Sequence, residues 1–365
     1  MRRRSLWSVA AAVVVVLAAV GWWAVAVRGP AGDETPFPAG RAAADQQAPV
    51  VPGKLPPLGV TLPASEASGL AASRHYPGVF YWLRDGGASG PDTPRDAIWG
   101  MRISAGGMPE PVRDGTMFPA YGVPGATNED WEALTVDDEG ALWIGQIGAN
   151  NCTDEQRLIR VAEPDPTVDA PLEVVATYDL RFPDPKPGCR TSNAEAMIWL
   201  DGHFYLFAKT RGTPIYRVDL PGGAAGTAKL TRIGQIGHRV NNISAASISD
   251  DRQRLMVLDH RRVYVFTADA TLRGDELIKD AVTDRYTGTA EFEAPGGATV
   301  EGGTFVPGTR DIAFVAEDGN IYYARPESYG EPPWTPPSPT APPATWHDPA
   351  LDDLPTLEPS ANDVG

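Results

Sequence analysis

Five restatements of one strand-turn-strand pattern predict an all-β fold of the β-propeller class. Four are clear: W-E-A-L-T-V-D-D-E-G-A-L-W-I-G from Trp131, A-E-A-M-I-W-L-D-G-H-F-Y-L-F from Ala194, A-A-S-I-S-D-D-R-Q-R-L-M-V-L from Ala245 and V-E-G-G-T-F-V-P-G-T-R-D-I-A-F from Val300. A weaker copy, S-G-L-A-A-S-R-H-Y-P-G-V-F-Y-W, opens the series at Ser68. Each copy joins two apolar strands through a turn-forming cluster, which is the signature of a β-hairpin. Aligned on Ser68, Glu132, Glu195, Ala245 and Glu301, the copies stand 64, 63, 50 and 56 residues apart. Such an interval holds about four strands at ordinary strand and loop lengths, the content of one propeller blade. Composition agrees: 38 glycines and 36 prolines cut the chain into short segments, and no helical period shows outside the N-terminus.

In chain order, the first element is a membrane anchor. Arg2, Arg3 and Arg4 precede 23 uncharged residues, Ser5 to Val27, ending in Trp22, Trp23 and a few small residues. That length crosses a bilayer, and the basic start places the rest of the chain outside the cytoplasm. An uncleaved single-pass anchor at the cell membrane is expected; cleavage after Ala24-Val25-Ala26 would instead give a secreted protein. Residues 1–28 are therefore read as anchor or signal and 29–57 as a Pro/Ala/Gly-rich linker. Residues 58–330 are the propeller, and 331–365 a Pro-rich acidic tail expected to be disordered.

Within the propeller, each hairpin is followed by further strands. They are expected at Leu158–Val161 and Leu172–Leu180, at Ile215–Val218 and Lys229–Ile233, and at Val263–Thr267 and Thr289–Glu293. The last copy has only Ile321–Ala324 behind it. Leu58–Leu62, upstream of the first copy, is expected to supply the missing outer strand and so cover an exposed edge. The count is five blades, or six if the long first unit hides another in its Met101–Gly125 insert.

Charge excludes one class of partner. Residues 1–57 contribute +3 and residues 331–365 contribute −6, so the propeller carries −13 of the chain's −16. A surface of that sign repels nucleic acid and anionic lipid and attracts cations and basic ligands. The two cysteines, Cys152 and Cys189, fall in loops that strand alternation puts on one face of the ring. In an oxidising compartment they are expected to form a structural disulfide.

The same alternation gathers the chemistry. Starts of first strands and ends of second strands share one face, which brings Asp130, Glu132, Glu195 and Glu301 to the central tunnel. Asp85, Gln146, Asn150, Lys209, Arg211, Asp259 and Glu317 join them there. Carboxylates converging with amides suit a hard cation such as Ca²⁺, with Glu132, Glu195 and Glu301 as its ligands. The competing reading is structural: these glutamates accept backbone N–H groups or pair with Lys209 and Arg211 to join blades. Asp137-Asp138-Glu139-Gly140 and Glu317-Asp318-Gly319-Asn320 are read as turns rather than calcium loops. Of the five histidines, only His260 stands at a second-strand end.

N-E-D-W-E-A-L with G-Q-I-G-A-N-N, then R-L-I-R-V-A-E-P, N-A-E-A-M, F-A-K-T-R and P-I-Y-R-V resemble a group of secreted actinobacterial β-propeller proteins. More distantly, the chain is similar to esterase-like phytase and SdiA-regulated propellers. The resemblance spans roughly Ser65 to Pro326 and implies a propeller with a metal or hydrolytic site. Members of the group read G-D-I-G-D-N, whereas this chain has Gln146 and Ala149 at the two aspartates. Glu132, Asn150 and Lys209 keep the pattern.

No G-x-S-x-G elbow, H-E-x-x-H or Walker loop occurs. The expected function is an extracytoplasmic, membrane-anchored binding or scaffold module for a small ligand or a protein. The alternative is a metal-assisted hydrolase of phosphoesters or carboxylic esters, with the three tunnel glutamates holding the cation.

Overall fold

Period-two alternation explains why the middle strands of this chain read as unbroken apolar runs: both of their faces are buried. The computed structural model describes residues 52–86, 93–149, 155–183, 189, 191–237 and 240–335, all inside one unit, Ala43–Gly365. After a short strand β1 (Gly53–Leu55), the first sheet holds β2 (Ala67–Ala72), β3 (Val79–Arg84) and β4 (Ala97–Ile103), with β5 (Pro109–Glu110) and β6 (Ala120–Gly122) both paired to β4. The second holds β7 (Trp131–Val136), β8 (Leu142–Gln146), β9 (Arg157–Val161) and β10 (Val174–Arg181). The third holds β11 (Ala194–Leu200), β12 (His203–Ala208), β13 (Pro214–Asp219) and β14 (Ala225–Gln235). Next come β15 (Ile243–Ile248), β16 (Arg254–Asp259), β17 (Arg262–Thr267), helix α1 (Gly274–Thr283) and β18 (Gly288–Phe292). The last group is β19 (Val300–Phe305), β20 (Ile312–Ala316) and β21 (Ile321–Ala324).

These groups are antiparallel meanders. Their first strands form a cycle of contacts, β2 on β7, β7 on β11, β11 on β15, β15 on β19 and β19 back on β2. The architecture is a β-propeller around that cycle. An apolar cluster fills each space between neighbouring sheets, and the second strands feed two clusters alternately. In β12, Phe204 and Leu206 point to the space shared with the preceding sheet, Tyr205 and Phe207 to the space shared with the next. In β16, Leu255 and Val257 alternate in the same way with Met256 and Leu258. Each such fully buried side chain stabilises the fold by about 1.5–3 kcal/mol.

Closure uses the N-terminal segment, as expected. Leu58 N donates to Ile321 O at 2.9 Å, Leu62 N to Gly319 O at 2.8 Å, and Thr61 bridges Asn320. The segment therefore runs antiparallel to β21 and covers its edge, although it makes only an isolated bridge rather than a continuous strand.

Four features differ from the sequence reading. The linker expected to reach Pro57 contributes β1, which pairs in parallel with β18 through Gly53–Ala290, Lys54–Glu291 and Leu55–Phe292. Parallel pairing of the outer strands β10 and β14, Thr177 to Arg181 against Ala225 to Lys229, fuses the second and third sheets into eight strands. The acidic tail does not begin at Glu331: that residue is buried, with Arg254 Nε 2.5 Å from Oε1. Finally, a helix occurs where none was expected. α1 has only ten residues, too few to show a period against background, yet Leu277, Ile278, Ala281 and Val282 form one buried face. Asp201 fastens its start by accepting from Gly274 N at 2.7 Å.

The Met101–Gly125 insert makes no separate sheet, because β5 and β6 both return to β4. The expected anchor over Ser5–Val27 lies outside the described residues, among which no helix is long and apolar enough to cross a membrane. The tail beyond Thr335 lies outside them too.

Candidate functional site

Every first strand carries a β-bulge at the same place. The pairing with its neighbour shifts between Ser68 and Leu70, Trp131 and Ala133, Ala194 and Ala196, Ile243 and Ala245, and Val300 and Gly302. The skipped residues are Gly69, Glu132, Glu195, Ser244 and Glu301. A bulge leaves one residue unpaired and re-aims its side chain. Three of the five are therefore glutamates gathered at one end of the axis, and the true register of copies one and four is Gly69 and Ser244 rather than Ser68 and Ala245. Glycine is required at the first: φ is +41°, and a Cβ there would lie 2.7 Å from Leu134 N.

The gathered carboxyls are deeply buried. Glu132 is 4 % exposed, Glu195 4 % and Glu301 5 %. Burial pushes Glu132 well above the usual carboxylate range, and Glu195, Asp130, Asp85 and Glu301 push it further. Glu195 is raised by burial but held back by Lys209, whose Nζ lies 3.3 Å from Oε2, and by a hydrogen bond from Glu132. Asn193 Nδ2 donates to its other oxygen at 3.0 Å. Lys209 is held above its ordinary value by Glu195 and Glu301, although burial lowers it. Burial raises Glu301 to about 8, against the pull of Lys209. Its Oε2 has no hydrogen-bond partner, and Oε1 lies 3.5 Å from His260 Nε2, too far for a good bond. Burial and Lys209 lower His260, which favours its neutral form. The site thus pairs Glu195 with Lys209 beside two carboxyls, Glu132 and Glu301, whose protonated forms burial favours.

Beside them lies a second group. Glu66, Asp85 and Glu317 each bring a carboxylate oxygen within 4.8 Å of the others, the geometry a shared cation would need. Backbone bonds hold them together across the closing seam, Glu66 N to Glu317 O at 2.8 Å and Asp85 N to Glu66 O at 3.1 Å. Burial raises Asp85 to about 7, with Glu66 and Glu317 adding repulsion. Among the described residues this is the group that meets that spacing, and it shares no member with the expected trio Glu132, Glu195 and Glu301.

The remaining expected residues divide. Asp130 sits against Gly148, where a Cβ would overlap its carboxylate and approach Glu132 Oε1 to 2.7 Å. Gln146 donates to Glu155 O at 3.1 Å and to Glu129 at 3.4 Å, so it ties down the following loop. Asp259 is spent on its turn, accepting from Arg261 N, Arg262 N and Tyr264 Oη at 2.8–2.9 Å. Arg211 is exposed. Asp137 serves its turn as expected and also accepts from Trp143 Nε1 at 2.8 Å. Asn150 and Cys152 lie outside the described residues, among which there is no free cysteine.

Sequence reasoning missed Glu66, Asn193, Gly148 and Gln156. Asn193 links two sheets, accepting from Ala149 N at 2.8 Å while it donates to Glu195. Gln156, 2 % exposed, donates to Ser192 O at 3.0 Å and to Ile147 O. Gly148, in G-Q-I-G-A-N-N, and Asn193, next to the glutamate in N-A-E-A-M, stand in the motifs that carry the resemblance; Glu66 and Gln156 offered no local signal.

Against Glu132 and Glu195 the axis narrows to a void of about 10 Å³, closed on its far side by Leu70, Leu134, Met197 and Ala246. That is room for about one water. The acidic end is closed from beneath by apolar side chains, which is why burial dominates its titration.

No known sequence family and no curated protein matches the chain. Among solved structures, a glutaminyl cyclase from Myxococcus xanthus aligns with 75 % of this chain and 98 % of its own, at 12 % identity and a TM-score of 0.42. A gluconolactonase from Xanthomonas campestris aligns with 73 % and 87 %, at 13 % and 0.35. Likeness this distant carries no reading of ligand or reaction.

Proposed function

We propose that the chain is a five-bladed, membrane-anchored, extracytoplasmic binding module whose acidic axial end takes up a small cation, a divalent metal or the ammonium group of a basic ligand. The observation that carries this reading is Glu301, 95 % buried with one carboxylate oxygen unpartnered. A buried polar atom without a partner is costly, and a cation placed there would supply one. Glu132, Glu195 and Glu301 would surround it, and Glu66, Asp85 and Glu317 offer the more compact oxygen set for Ca²⁺. Uptake would release the protons held on Glu132 and Glu301. The −13 charge of the propeller supports a cationic ligand and argues against nucleic acid.

A second reading, metal-dependent hydrolysis of phosphoesters or esters, is favoured by one observation: Asp85 and Glu301 titrate near neutrality, as proton donors and acceptors in catalysis do. A divalent ion held instead by Glu66, Asp85 and Glu317 would supply Lewis-acid activation there; Glu132, whose protonated form burial favours, would then be the acid, and Lys209 would hold Glu195 in place.

Titration of the full-length protein with Ca²⁺ and with spermidine separates these. A ligand at about a hundred times its dissociation constant stabilises the folded state by about 2.7 kcal/mol. For a domain of this size that is a melting shift of roughly 5–10 °C. Binding should release protons, read by calorimetry in buffers of different ionisation enthalpy, and Glu301→Gln should reduce the release. No shift with either cation overturns the reading; metal-dependent turnover of an aryl phosphate or aryl ester selects the hydrolase. The anchor is tested by fractionation, where a mature form beginning near Val27 in the medium would replace it with secretion.

A further inference from the structure

At the other end of the axis a cavity of about 400 Å³ opens among the far ends of the five first strands. That volume lies within the usual range for small-ligand sites. Leu70, Leu134, Met197 and Ala246 line both this cavity and the water-sized waist, so they form its floor and separate it from the glutamates. Its wall carries Trp199, whose Nε1 is buried. What Trp199 presents to the cavity is therefore carbon.

Around that apolar surface stand hydroxyls: Ser73, Thr135, Ser247 and Thr304. Ser247 Oγ and Thr304 Oγ1 are 3.2 Å apart and face one another. Hydroxyl protons rotate, so such a pair can both donate to and accept from a ligand. The charges at the cavity are one of each sign. Arg74 is half exposed and only 3.6 Å from Asp138, a loose pair, while Asp250 accepts from Gly308 N at 2.6 Å.

We propose that this cavity is a second binding site, for a neutral saccharide of one or two rings. Balanced charge gives no attraction to an ion. Ser73 already accepts from Tyr76 N and Ser247 from Phe305 N, and Ser247 pairs with Thr304; a purely apolar guest would still cover their remaining lone pairs and the Thr135 hydroxyl without offering partners, at a desolvation cost. A sugar ring meets both demands, with its C–H face on the carbon of Trp199 and its hydroxyls on the serines and threonines. The site does not depend on the acidic end, since the waist admits nothing larger than water.

The test uses full-length protein titrated with glucose, maltose and cellobiose, followed by tryptophan emission and by saturation-transfer NMR. At least one should bind, Trp199→Ala should weaken it about tenfold, equivalent to about 1.4 kcal/mol, and Trp199→Phe about threefold or less. Thr135→Val, which keeps the side chain's shape and removes its hydroxyl, should weaken the sugar while leaving binding of indole, an apolar probe, unaltered. Saturable sugar binding lost in both Trp199→Ala and Thr135→Val establishes the site. Absence of binding by all three sugars, equal binding in the variants, or indole binding more tightly than any sugar overturns it.

Discussion

Replacing Glu301 with glutamine should flatten the dependence of stability on pH. The carboxyl is raised from 4.5 to about 8, chiefly by burial, in an environment of Glu195, Glu317, Thr299, His260 and the opposing Lys209. Folding then takes up a proton wherever the unfolded chain has lost it. The stability this group contributes is fully present below about pH 4.5, falls as pH rises, and is lost once pH passes about 8. A shift of roughly three and a half units corresponds to at most about 5 kcal/mol. Coupling to Glu195 and relaxation at an effective dielectric near 20 reduce the measurable part to about 2–4 kcal/mol. Glutamine keeps the shape and cannot ionise. Urea unfolding near pH 5 and near pH 9 should show wild type losing about 2–4 kcal/mol more than the variant across that interval. Parallel curves, within about 0.5 kcal/mol, would refute the claim that Glu301 is buried and protonated.

Lys209→Met leaves Glu195 buried without its ammonium and should cost about 3 kcal/mol near pH 8, and less near pH 5 where Glu195 can hold a proton, by the same unfolding measurement. Gly69→Ala places a Cβ 2.7 Å from Leu134 N at a left-handed φ, and should lower stability by about 2 kcal/mol or more; a change under about 0.5 kcal/mol would contradict the bulge. Deleting the chain through Leu62 uncovers β21 and should produce concentration-dependent association in light scattering, whereas deletion through Val51 should not. A Cys152–Cys189 disulfide, closing about 37 residues, would stabilise by about 3–4 kcal/mol, and peptide mass spectrometry without reductant should find it; two alkylatable thiols would exclude it.

Amino-acid order alone determined the repeated hairpin, because two apolar strands around a turn cluster are a local pattern that survives divergence between copies. It also placed the later strands closely: Ile321–Ala324 was read to the residue, and Lys229–Ile233 was found inside the longer β14. Glu132, Glu195 and Glu301 were legible as equivalents since each opens a copy. Their place at one end of the axis was legible too, from strand alternation; their burial, and the protonated forms it favours in Glu132 and Glu301, were not, for these follow from bulges and from an axial waist assembled by five distant strands. Glu66 was invisible because, although it meets Asp85 at the foot of its own hairpin, Glu317 reaches the two of them only when the ring closes. Asp259 looked like a site residue until the turn claimed both its oxygens. Residue type and local spacing set which strands form; which carboxylates share a dielectric, a proton or a cation is a property of distances between blades, and only tertiary packing decides those.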